Sequence, residues 1–221
     1  MKNRIILTFA AILGFASVAF AQDFQTKTIR HDGIEREYRL FVPDSIAPER
    51  SLVKDLNLNK LNCFLCGMSN GGEMCYLTAL QRPEEFTAYG SVAGLTMEWF
   101  YRKYSMRKAV PFLEVHGDAD KTSRWEGDPD NTGGWGEYIA VPIAVSNLVT
   151  AARCTHCEKT ELPLKRNKVI LHRYLDGSAA WEGGPSVEVR LYEVQGGKHS
   201  WALADMNTCY EIWEFFRLWL R

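Results

Sequence analysis

The most informative segment of this chain is Gly67-Met68-Ser69-Asn70-Gly71-Gly72. It follows a short apolar run at residues 61–66 and precedes a segment with helical spacing at residues 73–81, which Pro83 ends. The apolar run is typical of a buried parallel strand. A G-x-S-x-G sequence between a strand and a helix predicts a tight turn that lifts the serine hydroxyl above the sheet. The plainer alternative is a glycine-rich turn in which Ser69 only caps the helix.

Further strands and helices alternate along the rest of the chain. We predict strands at residues 87–92, 110–115, 169–174 and 187–194, and helices at 138–152 and 207–220. Near the N-terminus, Asp32-Gly33 between two alternating runs, 25–29 and 35–41, predicts an antiparallel hairpin. The expected fold class is therefore α/β, with a mainly parallel sheet, flanking helices and an N-terminal hairpin.

A serine nucleophile needs a base and an acid that orients the base, and on such a fold the acid and then the base follow at the ends of later strands. Asp120 follows the strand at 110–115, and His199 lies in a glycine-flanked loop after the strand at 187–194. The first backbone N–H of the helix, that of Asn70, is the candidate oxyanion donor. We interpret His116 as a support for the loop that carries Asp120.

Four ordered motifs resemble those of the polyhydroxybutyrate depolymerase and feruloyl esterase-like family of α/β-hydrolases. They are Gly-Met-Ser-Asn-Gly-Gly at 67–72, Ser-Val-Ala-Gly at 91–94, His-Gly-x-x-Asp at 116–120 and Gly-Gly-x-His-x-Trp at 196–201. Residues 38–43 and 212–216 are similar to the first strand and the last helix of that family. The resemblance implies that Ser69 is the nucleophile, Asp120 the orienting acid and His199 the base. It implies feruloyl esters, acetyl esters or short polyesters as substrates.

The chain departs from this family between the hairpin and Ser69. Only 25 residues separate Pro43 from Ser69, several times fewer than the family has, and the His-Gly-Gly loop that supplies a second oxyanion N–H is missing. We therefore expect a catalytic domain over residues 22–221 that is truncated between about 44 and 60 and lacks one or two central strands. The family's Trp-Pro-Gly is here Trp201-Ala202-Leu203, and a cysteine ahead of the last strand is missing.

The N-terminus resembles an export signal. Lys2 and Arg4 precede an apolar run at residues 5–15, and Ala19-Phe20-Ala21 offers the small-x-small pattern of a cleavage site. We expect a signal peptide at residues 1–21, cleavage after Ala21, and a secreted or periplasmic protein without stable membrane insertion. Cleavage moves the net charge from −1 to −3, and without a run of Lys and Arg we expect no nucleic-acid partner.

Six cysteines follow the signal segment, so export permits disulfides. Cys63 and Cys66 are predicted inside a buried strand as small apolar residues. Cys154 and Cys157 are predicted at the surface, as a local disulfide or as two thiols. Cys-Thr-His-Cys offers too few ligands for zinc, and the acidic residues at 118–130 lack the spacing of a calcium loop, so we expect no metal or cofactor.

The sequence predicts a secreted serine carboxylic-ester hydrolase with a polymer or small-molecule ester as substrate. We expect Trp125 and Trp201 to border the site and contact a sugar or phenolic ring. One alternative is an inactive hydrolase that binds carbohydrate through Trp125, Trp135 and Trp181. Another is a non-functional truncated product.

Overall fold

A computed structural model describes residues 60–221, together with the backbone of three strands, β1 (Ile6–Thr8), β2 (Gln25–His31) and β3 (Ile34–Leu40). Residues 1–60 and 61–221 form two separate compact units. In the first unit, β2 and β3 pair antiparallel from Gln25–Leu40 to His31–Ile34, so the predicted hairpin is confirmed, and β1 pairs parallel with β3. The rest of the proposed signal peptide and residues 41–59 lie outside the described residues.

The second unit contains a six-stranded sheet. Its strands are β4 (Phe64–Met68), β5 (Ala88–Val92), β7 (Phe112–Gly117), β9 (His156–Glu161), β10 (Val169–Leu175) and β11 (Val189–Val194), in the order β4-β5-β7-β11-β10-β9. The first four strands in this order are mutually parallel, whereas β10 and β9 are antiparallel to their neighbours. The predicted α/β class with a mainly parallel sheet is therefore confirmed.

Helices cover both faces of this sheet. The helices are α1 (Asn70–Gln81), α2 (Glu98–Lys103), α3 (Val141–Ala152) and α4 (Thr208–Phe216). Tyr76 of α1 packs against Phe112 of β7, with ring centroids 4.6 Å apart. On β5, the neighbour of β7, Gly90 lies beneath Ile212 and Phe216 of α4. Gly90 pairs with Leu113, the residue after Phe112, and side chains alternate along a strand, so α1 and α4 lie on opposite faces.

The central strands are mainly apolar because both faces of the sheet are covered. Every residue of β5 and β7 is buried, whereas every residue of β9 is exposed. Within residues 60–221, β4 pairs only with β5 and is an edge strand, as expected for a sheet that lacks the strands beside it. A short two-stranded sheet of β6 (Thr96–Met97) and β8 (Tyr138–Ile139) lies outside the main sheet.

Several element boundaries differ from the predictions. The strand predicted at 61–66 begins at Phe64, after a 3-10 turn at Lys60–Asn62, and Cys66 is exposed rather than buried because β4 is at the edge. The helix predicted at 138–152 begins only at Val141, since residues 138–139 form β8. The helix predicted at 207–220 ends at Phe216 and continues as a 3-10 turn, Arg217–Trp219. Neither Cys154 nor Cys157 is disulfide-bonded.

No helix in the described part of the chain is long and apolar enough to cross a membrane.

Candidate active site

Ser69 occupies the single position between β4 and α1. Its backbone has φ 56° and ψ −119°, a conformation that non-glycine residues rarely adopt and that is concentrated at functional sites. The Ser69 N–H donates to the Val92 carbonyl at the end of β5 (2.9 Å), and the Ser69 carbonyl accepts from the Glu73 N–H (2.9 Å). The predicted strand–serine–helix turn is thus present, and hydrogen bonds on both sides of the peptide hold its strained conformation.

The glycines around Ser69 are required by close approach. A Cβ atom on Gly67 would lie 2.5 Å from the carbonyl carbon of Gly71, so the strand end and the first turn of α1 are in contact. A Cβ atom on Gly72 would lie 2.5 Å from Ser91 Oγ and 2.8 Å from Gly94 Cα. Segments 67–72 and 91–94 therefore both need glycine, because their backbones are in direct contact beside Ser69.

Asp120 and His199 are hydrogen-bonded to each other. His199 Nδ1 lies 2.7 Å from Asp120 Oδ2, and the other oxygen, Oδ1, accepts from the N–H groups of Thr122 (2.8 Å) and Ser123 (2.9 Å). The carboxylate is buried, whereas His199 is partly exposed. When Nδ1 donates its proton to a fixed carboxylate, the lone pair of the ring is at Nε2, which is the tautomer of a general base.

The loops that carry Asp120 and His199 are joined along their backbones. Ala119 N–H donates to the Gly197 carbonyl (3.0 Å), and Gly196 N–H donates to Asp118 Oδ1 (2.6 Å). A Cβ atom on Gly117 would lie 2.2 Å from the Gly197 oxygen, so only glycine fits at this junction. The two glycine-containing motifs at 116–120 and 196–201 therefore form one contact between the ends of β7 and β11.

The parallel strands bring the predicted triad residues to one edge of the sheet. Ser69 follows β4, Asp120 follows β7 and His199 follows β11, and the carboxyl ends of these parallel strands point the same way. The N–H of Asn70, the candidate oxyanion donor, opens helix α1 at the same edge. The first turn of a helix leaves its N–H groups without helical partners, which suits them to an anion.

The two candidate substrate-binding tryptophans are both partly buried against the hydrophobic core. The Trp125 ring meets the His116 ring edge-on, with centroids 6.1 Å apart, and the Trp125 carbonyl accepts from Val141 N–H at the start of α3 (2.9 Å). The Trp201 carbonyl accepts from the Thr208 hydroxyl at the start of α4. Both residues therefore have structural contacts in addition to any contact with a substrate.

His116 supports the Asp120 loop, as the sequence suggested. Its Nε2 lies 2.8 Å from the Ser123 carbonyl, and its Nδ1 lies 2.8 Å from Glu114 Oε1; both side chains are buried. Burial alone would lower the pKa of His116, but the hydrogen bond and charge of Glu114, aided by the Ser123 carbonyl and Asp120, outweigh it and raise that pKa.

Sequence reasoning missed two carboxyl groups near the site. Glu114 is fully buried in β7, where a run of apolar neighbours predicts only core. Glu73 lies in the first turn of α1, and burial raises its pKa to about 7. A signal for Glu114 was available, since residues two apart on a strand share a face and His116 is two residues away.

Neither a protein-family profile nor a curated protein sequence matches this chain. Solved structures that are similar to this chain include the following two. Esterase PE8 is 20% identical in sequence, with a TM-score of 0.43, over 76% of this chain and 55% of PE8. A variant of Arabidopsis thaliana SOBER1 is 15% identical, with a TM-score of 0.40, over 74% of this chain and 56% of SOBER1. The chain thus matches just over half the length of each of these proteins.

Proposed function

We propose that this protein is a serine carboxylic-ester hydrolase with Ser69 as nucleophile, His199 as general base and Asp120 as the acid that orients His199. The observation that carries the proposal is the 2.7 Å hydrogen bond between Asp120 and His199 at the edge of the sheet where the strained Ser69 turn also lies. The backbone of Ser69 is strained in this turn, and such strain is typical of a nucleophile that the fold holds in place for reaction.

In the proposed reaction, Ser69 Oγ attacks the ester carbonyl while His199 Nε2 takes the hydroxyl proton. The tetrahedral oxyanion accepts a hydrogen bond from the Asn70 N–H, whose place at the start of α1 adds the positive end of the helix dipole. His199 then gives its proton to the departing alcohol. The bond between the alcohol and the acyl carbon breaks, and the acyl group remains on Ser69. Water, activated by the same histidine, releases the acid and restores the serine.

For substrates we propose feruloyl or acetyl esters of plant polysaccharide, or short polyesters. We also propose that the protein is exported and meets these substrates outside the cytoplasm. Support comes from the motif resemblance and from the partial exposure of Trp125 and Trp201, which lie five and two residues beyond Asp120 and His199. A partly exposed indole offers a flat apolar face to a phenolic or sugar ring.

We propose that turnover is slow. The shortened segment between Pro43 and Ser69 leaves no His-Gly-Gly loop in the sequence, so Asn70 is the main oxyanion donor. Removal of one such donor costs about two to three orders of magnitude in rate. The proton transfers depend on the Ser69 turn and the two joined loops, which are present.

The test is hydrolysis of p-nitrophenyl acetate and methyl ferulate by the purified protein. Ser69→Ala and His199→Gln should reduce kcat to the buffer rate, whereas Ser146→Ala, at an exposed serine of α3, should leave it unchanged. Hydrolysis that survives Ser69→Ala in a folded protein would contradict the proposal. A higher kcat/KM for methyl ferulate than for the acetate would favour feruloyl esters.

A carbohydrate-binding function without catalysis is the second candidate. It is favoured by the exposure of Trp135, whose side chain is 61% accessible. Trp181 fits this function less well, because the Arg221 guanidinium covers its ring at 3.8 Å from the centroid. A rise in Tm with soluble arabinoxylan that is lost in Trp135→Ala, together with no ester hydrolysis, would establish binding instead.

A further inference from the structure

Behind Asp120 lies a second carboxylate–histidine pair that the proposed reaction does not use. Glu114 and His116 point to the same face of β7, with 2.8 Å between Glu114 Oε1 and His116 Nδ1, and neither side chain is accessible to solvent. The other ring nitrogen of His116 lies 2.8 Å from the Ser123 carbonyl. A carbonyl can only accept a hydrogen bond, so Nε2 must carry a proton.

Asp120 Oδ2 lies between the two histidines. It is 2.7 Å from His199 Nδ1 and 3.8 Å from His116 Nε2, which places these two ring nitrogens at most about 6.5 Å apart. Both contacts involve the same carboxylate oxygen, while Oδ1 is occupied by two backbone N–H groups. A positive charge on His116 would therefore attract the adjacent Asp120 carboxylate and repel a positive charge on His199, across a short and mostly buried distance.

We propose that His116 is a positioning residue that remains a buried imidazolium held by Glu114, fixes the Asp120 loop and keeps His199 unprotonated at neutral pH. Nδ1–H donates to Glu114 and Nε2–H to the Ser123 carbonyl, so the ring has two acceptors and no donor. A positive charge this close opposes a second positive charge on His199, which a general base must avoid. As far as it concerns catalysis, this inference rests on the proposed function.

Other titratable groups that face this pair do not supply the same charge. Tyr76 of α1 lies near Glu114, and burial and then the charge of Glu114 raise the pKa of its hydroxyl, so it remains neutral. Cys75 is also buried in α1, and burial raises the pKa of its thiol. On β11, Glu193 is in register with His116 but is hydrogen-bonded to His172, at 2.9 Å. His116 is thus the cation beside Asp120 among the described residues.

Two variants separate the charge of His116 from its shape. Glu114→Gln keeps a side chain whose amide N–H can donate to an unprotonated Nδ1, but it removes the anion that holds the second proton on the ring. His116→Gln removes the ring and its charge while keeping a donor that can reach the Ser123 carbonyl. With either variant, a neutral group replaces the cation next to Asp120, and protonation of His199 becomes easier.

The readout is titration of the histidine side chains by NMR in protein with 15N-labelled imidazole rings, which requires no enzymatic activity. In the wild type, both nitrogens of His116 should carry protons at pH 7.5. The midpoint of His199 should rise in both variants, by up to about two pH units, as Coulomb interaction across about 6.5 Å at an effective dielectric of about 20 predicts. His156→Gln, at an exposed histidine of β9, should not move it.

The acid limb of the pH profile of kcat/KM for p-nitrophenyl acetate should move upward by the same amount, whereas a merely structural role would lower the rate at every pH. A neutral His116 in the wild type at pH 7.5 would overturn the inference even if neither variant folds. So would folded variants in which the His199 midpoint moves by less than about 0.3 units. A shifted His199 midpoint in a protein with no ester hydrolysis would instead reject the proposed function and leave this inference intact.

Discussion

The junction between Gly117 and Gly197 predicts a large effect from one added methyl group. In Gly117→Ala, the new Cβ would lie 2.2 Å from the Gly197 oxygen and 2.3 Å from its carbonyl carbon. Ordinary contact requires more than 3.4 Å, so one of the two backbones must move by about 1 Å. No flexible side chain can give way instead, because both nearest atoms are backbone atoms.

The movement is costly because hydrogen bonds join both segments. The Ala119 N–H to Gly197 carbonyl bond (3.0 Å) and the Asp118 N–H to Val194 carbonyl bond (3.2 Å) cross the junction. Forced overpacking costs about 1–3 kcal/mol, and each weakened hydrogen bond about 1 kcal/mol. We expect a loss of about 2–4 kcal/mol in the free energy of unfolding, which lowers the Tm by roughly 5–15 °C for a domain of this size.

The same movement separates His199 from Asp120, because Gly197 precedes His199 by two residues. Misplacement by about 1 Å typically lowers kcat by about 100-fold. Calorimetry and p-nitrophenyl acetate hydrolysis measure the two effects, with Gly71→Ala as a control for stability, since a Cβ atom on Gly71 meets nothing within 4 Å. If Gly117→Ala melts within 1 °C of the wild type, the steric argument fails.

Three further predictions concern other residues of this region. Ser69→Gly should abolish ester hydrolysis yet raise the Tm by a few degrees, because glycine tolerates φ 56° without strain. Ser69→Ala should not raise the Tm. Equal Tm values for the two variants would show that the turn stores no strain. Glu73 has a pKa of about 7 in the folded state against 4.5 for an ordinary glutamate. Between these two pH values the folded state keeps the proton that the unfolded chain releases. The free energy of unfolding therefore falls as the pH rises from about 4.5 to 7. Glu73→Gln should therefore exceed the wild type by about 2–3 kcal/mol at pH 8 and by much less at pH 5 in urea unfolding; a constant difference at both pH values would assign the effect to packing. Asp205 is buried and accepts from the Arg166 guanidinium (3.2 Å) and the Asn167 N–H (3.0 Å), which anchors the loop that carries His199. Asp205→Asn should cost about 2–3 kcal/mol and reduce kcat, and Arg166→Gln should cost less because its side chain is 59% exposed; the reverse order in chemical unfolding would contradict this account.

The amino-acid sequence contains enough information to predict the local geometry around Ser69 and the approximate positions along the chain of β5, β7, β10 and β11. Glycines at 67, 71 and 72 allow a strand end and a helix start to touch, and only a few backbone conformations connect a strand to a helix through one residue. The strands β5 and β7 are predictable because a strand covered on both faces favours apolar residues on both of its faces.

Other features have no local signal in the sequence and depend on contacts between distant parts of the chain. β9 has six exposed, mostly polar residues, and it is a strand because its backbone pairs with β10 along the sheet edge. Cys66 belongs to an apolar run yet is exposed, because whether a strand is central or at the edge depends on neighbours that are distant in sequence. The helix that begins at Thr208 becomes a 3-10 turn after Phe216 although its apolar pattern continues.

The site shows the same division. Chain order and strand ends suffice to select Asp120 and His199 as candidates, since parallel strands deliver their carboxyl ends to one edge. The pairing of Glu114 with His116 and the position of Asp120 Oδ2 between two histidines depend on distances across β7 and its following loop. Such contacts depend on packing in three dimensions, because a shift of about 1 Å decides whether two groups form a hydrogen bond. No periodicity in the sequence specifies a distance on that scale.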